Sequence, residues 1–172
     1  MRMNIPHIHT DRLLLREFRE SDHDAYARIH GDPETMRYIG TGEPLDRKGA
    51  WRSLAFFLGH WQLRGFGMWA VEDKATGEFI GRVGYYQPDG WPGFELGWTI
   101  DRRHWGRGFA TEAAKAALKL ALPAFGRRHV ISLIQPGNAA SIRVAEKIGE
   151  TFEREIDLDG KRVLVYGIEL SD

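Results

Sequence analysis

Apolar positions along the chain fall into short blocks whose period switches between two and about three and a half, and each switch marks an element. Residues 12–18, Arg-Leu-Leu-Leu-Arg-Glu-Phe, are apolar between charges and predict a first strand. Ser21 and Asp22 stand where a helix to about residue 29 would be capped, and Asp32 before Pro33 predicts a second helix to about 38. After Asp46, the residues Trp51, Leu54, Ala55, Leu58, Trp61 and Gln62 recur at helical spacing, until Gly65 and Gly67 end the pattern. Residues 68–72 and 79–87 predict a hairpin, and 94–100 a third antiparallel strand. Residues 110–122 place Ala113, Ala114, Ala117, Leu118, Ala121 and Leu122 on one stripe, with Pro123 as the stop. A short strand at 130–134 follows, then a helix from Asn138 to 148 closed by Gly149. Residues 151–158 and 162–169 form a last hairpin around Asp159-Gly160. The order predicts an α/β (α+β) fold, a mixed, mostly antiparallel seven-stranded sheet flanked by helices rather than a regular βαβ repeat.

Composition narrows this picture. A length of 172 residues predicts one domain, 1–172, large enough for its own core. The 24 Lys+Arg balance 24 Asp+Glu, which leaves no electrostatic footprint for nucleic acid or an anionic membrane. No apolar run approaches the roughly 18 residues of a membrane span, and residues 1–10 carry no apolar leader, so the expected location is cytoplasmic. The absence of cysteine removes disulfides, thiolate nucleophiles and Cys-ligated zinc. His7 and His9 share one side of an extended segment, but no third ligand is placed, so no metal is expected. Oligomeric state, monomer or homodimer, is open.

The stretch richest in chemistry runs from Glu95 to Ala114. A strand leads into Asp101-Arg102-Arg103-His104-Trp105-Gly106-Arg107-Gly108, and Phe109-Ala110-Thr111-Glu112 opens a helix. Free N–H groups and the macrodipole make such a helix start attractive to anions, and Gly106 and Gly108 let several N–H groups converge. Arg102, Arg103 and Arg107 add charge around the same mouth. Two readings stay open on these residues alone, a phosphate or pyrophosphate cradle and a Gly-rich turn with incidental arginines. A P-loop is absent, and the dinucleotide fingerprint would need glycine at Thr111.

The loop Trp105-Gly106-Arg107-Gly108-Phe109-Ala110-Thr111-Glu112-Ala113 resembles the acetyl-CoA pyrophosphate loop of the GNAT N-acetyltransferase superfamily. The opening Thr10-Asp11-Arg12-Leu13-Leu14-Leu15-Arg16, the run from Asn138 to Gly149 and the closing Val163-Leu164-Val165-Tyr166-Gly167-Ile168 resemble its branch of ribosomal-protein N-terminal (RimJ/RimL-like) acetyltransferases. The likeness spans about residues 10–169. It implies an acyl-CoA N-acyltransferase sheet in which the fourth strand splays from the fifth. It also implies an enzyme that transfers acetyl from acetyl-CoA directly to a primary amine, either a protein N-terminus or a small molecule, in a ternary complex. A catalytically silent acyl-CoA-binding or sensor protein is the alternative.

The resemblance implies that the backbone of Trp98, Thr99 and Ile100 bonds the pantetheine arm. Trp105, Gly106, Arg107, Gly108, Phe109 and Ala110, with Arg103 and the Thr111 hydroxyl, would receive the pyrophosphate, and Asn138 and Ser141 would reach the arm. Glu95 is the expected base, since a free amine is mostly protonated at pH 7, with a solvated or salt-bridged strand carboxylate as its plain reading. The Ile100 N–H is the expected oxyanion donor. Many relatives protonate the leaving thiolate with a Tyr where this chain has Ala145, which leaves Ser141 or Tyr166 for that role; each also has a plain reading, a first-turn hydroxyl bonding the backbone and a packed sheet residue. Segment 31–61 would line the acceptor pocket, shaped by Tyr38, Trp61 and Trp91, while Trp51, Phe56, Phe57, Trp61 and Trp69 should be mostly core. Glu150 stands where Phe or Met is usual, and nothing in the sequence accounts for it.

Overall fold

Eight strands make one sheet in a computed structural model that describes residues 4–171, so the first three residues of the segment read for a leader lie outside it. The strands are β1 (Ile8–His9), β2 (Leu13–Arg16), β3 (Met68–Asp73), β4 (Phe79–Tyr86), β5 (Glu95–Ile100), β6 (His129–Ile134), β7 (Thr151–Leu158) and β8 (Lys161–Glu169). Their order across the sheet is β1-β2-β3-β4-β5-β6-β8-β7. All neighbours pair antiparallel except β5 and β6, which are parallel. The mixed, mostly antiparallel architecture is the expected one, with eight strands in place of seven. The extra strand is the two-residue β1, too short to leave a periodicity, and the fourth and fifth strands of the sequence reading are thus β5 and β6.

The helices are α1 (His23–His30), α2 (Pro33–Met36), α3 (Arg47–Arg64), α4 (Phe109–Phe125) and α5 (Ala139–Ile148). Asp32, Asp46 and Asn138 cap α2, α3 and α5 by accepting N–H bonds from Thr35, Gly49 and Ser141. Asp22 does not cap α1. Its carboxylate receives both terminal nitrogens of the buried Arg16 at 2.8 Å and the Arg19 N–H at 2.8 Å, closing a short 3-10 turn instead. Helix α4 continues two residues past Pro123, because only the last turn loses a hydrogen bond there and Gly126 then closes it onto Ala121 and Leu122.

Two apolar clusters cover the two sheet faces. One packs Ala113, Ala114, Ala117 and Ala121 of α4 against Leu13, Leu15, Val71, Ile80, Val83 and Leu96. The other packs Tyr26 and Ile29 of α1 and Leu54 and Phe57 of α3 against Phe18, Met68, Ala70 and Phe79. The aromatic-rich region divides accordingly. Phe57, Trp61 and Trp69 are buried, whereas Trp51 and Phe56 lie on the outer side of α3 at 51% and 45% exposure. Among the described residues no helix is long and apolar enough to cross a membrane.

The site follows from a failure of pairing. Strand β5 is registered with β4 along its whole length, but meets β6 at one rung, Glu95↔Ile131. One step further the Ser132 hydroxyl donates to the Leu96 carbonyl at 2.7 Å, so a side chain occupies the place of the next ladder bond. Beyond it the strands part.

Candidate active site

A cleft of about 1100 Å³ opens where β5 leaves β6 and runs to the start of α4. Backbone parity decides which β5 groups face it, because alternate residues of a strand send both N–H and C=O to the same neighbour. The Asp101 N–H bonds Ile80 on β4, whereas the Phe94 carbonyl accepts from Ile131 on β6. Even-numbered residues therefore face the gap. The Leu96 carbonyl is taken by Ser132 and the Ile100 carbonyl by the Trp105 indole at 2.8 Å. Left facing the cleft are the N–H and C=O of Trp98 and the N–H of Ile100. The Thr99 backbone points to β4 instead, so of the three residues expected to offer main-chain groups, Trp98 and Ile100 do.

The loop after β5 ends on the helix start that the sequence marked. Gly106 and Gly108 have φ of +74° and +78°, a left-handed backbone that suits glycine. Gly108 is the N-cap of α4 and has no side chain to cap it, and the first intrahelical bond runs from Glu112 to Gly108. The N–H groups of Phe109, Ala110 and Thr111 thus lie free of the helix ladder at its positive end. Trp105, Gly106, Gly108, Phe109, Ala110 and Thr111 all line the cleft.

The arginines behave otherwise. Arg103 turns to Asp101, with Nε and Nη2 at 3.0 and 2.9 Å from its carboxylate, and Arg102 lies 3.5 Å from Asp32. Arg107 donates to His104 Nδ1 at 2.9 Å and covers the Phe109 ring. None of the three lines the cleft, because acidic, imidazole and aromatic partners nearer in the loop take them. The Asp101 carboxyl falls to about 2: burial would raise it, but bonds from Arg103 and Arg28 outweigh that. The residue that braces the loop is Arg12 of the opening motif. It pairs with Glu112 at 2.7 Å, donates to the Arg107 carbonyl at 3.0 Å and stacks on Phe109.

Glu95 points into the inner end of the cleft, accepting from the Trp91 indole at 2.7 Å and from the Leu133 N–H. Burial pushes its carboxyl up to about 7, against the pull of these donors and of Arg82. Ser141 and Asn138 line the opposite wall. The Trp98 indole donates to Ser141 Oγ at 3.3 Å, which leaves the hydroxyl proton of Ser141 free to be given elsewhere. Asn138 uses its carbonyl oxygen on the α5 cap and keeps its amide donors. Tyr166 is not at the cleft: its ring packs with Ile134 and Ala145 and edge-on to Phe152. Tyr38 and Trp91 do line it, while Trp61 is buried behind β3 with its indole on the Met68 carbonyl.

Glu150, unexplained in the sequence, is 1% exposed and sits behind the point where the strands part. The Ser132 hydroxyl has one proton for two acceptors, the Leu96 carbonyl at 2.7 Å and Glu150 Oε1 at 3.0 Å. The shorter contact takes it, and the second is satisfied when Glu150 keeps its own proton. Burial, aided by the charges of Glu95 and Glu153 and opposed by Ser132, raises the Glu150 carboxyl to about 8. A protonated acid therefore holds the apex of the cleft at neutral pH. Among the described residues no group of three His, Cys, Asp or Glu stands close enough to hold a metal ion.

This geometry agrees with known proteins. The family model of the acetyltransferase (GNAT) domain matches residues 12–151. The uncharacterized protein YkkB of Bacillus subtilis (strain 168) is 35% identical over 165 residues, 91% of this chain and 92% of that one. The crystal structure of an acetyltransferase from Agrobacterium tumefaciens str. C58 superposes with a TM-score of 0.86 at 32% identity, covering 99% of this chain and 98% of that one. The fold, at 17% identity, is also that of RimL, a ribosomal L7/L12 alpha-N-protein acetyltransferase solved in complex with coenzyme A, with a TM-score of 0.80 over 96% and 98% of the two chains.

Proposed function

Because the chain belongs to the acetyltransferase (GNAT) family and is an acyltransferase, we propose that it transfers acetyl from acetyl-CoA directly to a primary amine in a ternary complex. What supports this reading is one continuous feature. Backbone donors without ladder partners run from Trp98 and Ile100 to the first turn of α4, and a carboxyl poised near neutrality stands at the inner end.

The residues present fit the coenzyme. The bare N–H groups of residues 109–111 and the left-handed Gly106 and Gly108 would receive the diphosphate, with the Thr111 hydroxyl beside them. The main chain of Trp98 and the amide of Asn138 would hold the pantetheine arm. When bound, acetyl-CoA supplies a thioester carbonyl. Glu95 removes a proton from the incoming ammonium, which must be neutral to attack. The Ile100 N–H, open to the cleft, would donate to the carbonyl oxygen as it gains charge. As the new C–N bond forms and the C–S bond breaks, Ser141 would give its free proton to the departing sulfur and take in return the second proton shed by the attacking nitrogen. We propose that residues 1–172 act as one such domain.

Incubation with acetyl-CoA and a panel of amines and peptide N-termini, following release of coenzyme thiol, tests the reading. Amine-dependent release is expected. Tight coenzyme binding with no release for any acceptor would replace it with a silent acyl-CoA-binding protein.

A further inference from the structure

Arg82 is a buried cation with no anion in contact; its charge reaches the Glu95 carboxyl only from beyond ion-pair distance. It is 9% exposed and lines the cleft on the sheet face covered by α1 and α3, opposite the α4 cluster. Its Nε donates to His30 Nε2 at 3.3 Å, its guanidinium covers the Phe57 ring at 4.7 Å, and it also bonds the Tyr26 hydroxyl. All three partners are neutral. His30 donates from Nδ1 to the Tyr26 carbonyl at 3.0 Å and offers its other nitrogen as an acceptor. Burial, with Arg82 beside it, takes the His30 imidazole down to about 3, so it carries no charge at any ordinary pH. Among the described residues no carboxylate comes within ion-pair distance of Arg82. The contrast with Arg16, which is similarly buried and paired with both Asp22 and Glu72, is direct. A buried charge costs several kcal/mol unless something compensates it.

A second observation falls at the same place. Arg82 and Thr99 are partners across β4 and β5, and the Thr99 hydroxyl is buried, lines the cleft and has no hydrogen-bond partner. Four rungs along, Tyr86 faces Glu95. Residues two apart share a strand face, so the unsatisfied hydroxyl, the unpaired guanidinium and Glu95 all open onto one side of the sheet. The diphosphate cradle at the start of α4 lies over the other face.

We propose that Arg82 and the Thr99 hydroxyl form a subsite for an oxyanion carried by the acceptor, so that the amine presented to Glu95 belongs to a molecule that also bears a carboxylate. This rests on the transferase reading above and gives its acceptor a chemical class. Arg82 supplies charge and two or more free N–H donors, Thr99 one O–H donor, and the acceptor carboxylate replaces the missing counter-ion. The carboxylate has two sources, the α-carboxylate of a free amino acid or an acidic side chain next to a peptide N-terminus.

The test uses matched pairs at saturating acetyl-CoA, each L-amino acid against its amide, and tripeptides beginning with Asp or Glu against Asn or Gln. The expected result is a kcat/KM at least about 100-fold higher for the acid in one series, and the series tells which source is read. Arg82→Gln should erase the difference, and Arg82→Lys should keep part of it. Thr99→Val, which conserves volume and removes the orphan hydroxyl, should fold at least as well as the wild type and narrow the difference by about tenfold. Equal rates for acid and amide in every pair overturn the subsite while leaving amine transfer intact. A comparable loss of coenzyme affinity in calorimetry of Arg82→Gln also overturns it, because the anion read would then be the coenzyme's. If no amine releases thiol, the transfer reading fails, and calorimetry of N-acetylglycine against N-acetylglycinamide on the coenzyme-loaded protein decides the subsite alone. Arg82-dependent preference for the acid sustains it, and equal or absent binding overturns it.

Discussion

In the proposed mechanism Glu95 is the group that a change of pH reads most directly. A carboxyl titrating at about 7 is half ionised at neutrality, and only the ionised form accepts a proton. kcat therefore rises with pH through about 7 and then levels. Glu95→Gln should abolish that limb and lower kcat at pH 7 by about 100-fold or more, a usual size for a lost general base. The loss should shrink at pH 9, where more of the amine is already neutral, and parallel pH profiles would remove the role. Glu150 reads stability instead. Its folded value of about 8 lies above the unfolded 4.5, so this group's contribution is full below 4.5 and is lost as pH rises to about 8. Each tenfold change in proton affinity is worth about 1.4 kcal/mol, so the drop amounts to a few kcal/mol. Urea unfolding of Glu150→Gln between pH 5 and 9 should show a flatter profile than the wild type, and identical slopes would contradict the protonated apex. The place of Glu95 at the cleft was legible through the resemblance, which puts a carboxylate at the head of the strand that runs into the glycine loop. Glu150 and Arg82 were not, since their meaning depends on which neighbours a strand face meets and no local pattern encodes that.

At the level of elements, the junction of β5 and α4 was the most legible part of the chain, and its arginines the least. A strand, two glycines and an amphipathic helix leave a clear pattern. Three cations in a loop do not say whether they serve a ligand or Asp101 and His104. The role of Arg12 was hidden in the same way, because its partners lie 95 and 100 positions away. Gly108→Val should weaken coenzyme A binding at least about tenfold in calorimetry. The cause is conformational rather than steric: a Cβ there would lie 3.6 Å from the Arg12 guanidinium, an ordinary contact, but φ of +78° costs an L residue about 1–2 kcal/mol and tilts the loop away from converging N–H groups. Gly108→Ala should give a smaller loss in the same direction. Undiminished affinity in both variants would detach the loop from the coenzyme. Helix α4 itself ran past its predicted stop, because proline in a last turn removes one bond and leaves the rest of the helix intact.

Across the whole molecule, the order of elements followed from periodicity and punctuation, while the departure of β5 from β6 did not. Strand pairing is a long-range property, and two apolar segments do not reveal that Ser132 and Glu150 end their ladder after one rung. That departure turns a sheet into a transferase scaffold. It leaves main-chain groups open on β5, continues into the bare start of α4 and exposes Glu95 and Arg82 on the face where an acceptor would enter. The central claim is that these main-chain groups hold the coenzyme, and a crystal structure of the protein with coenzyme A tests it most directly. The predicted result is a diphosphate within hydrogen-bond reach of the N–H groups of residues 106–111 and a pantetheine arm bonded to the backbone of Trp98. Coenzyme bound elsewhere, with that turn empty, would contradict it.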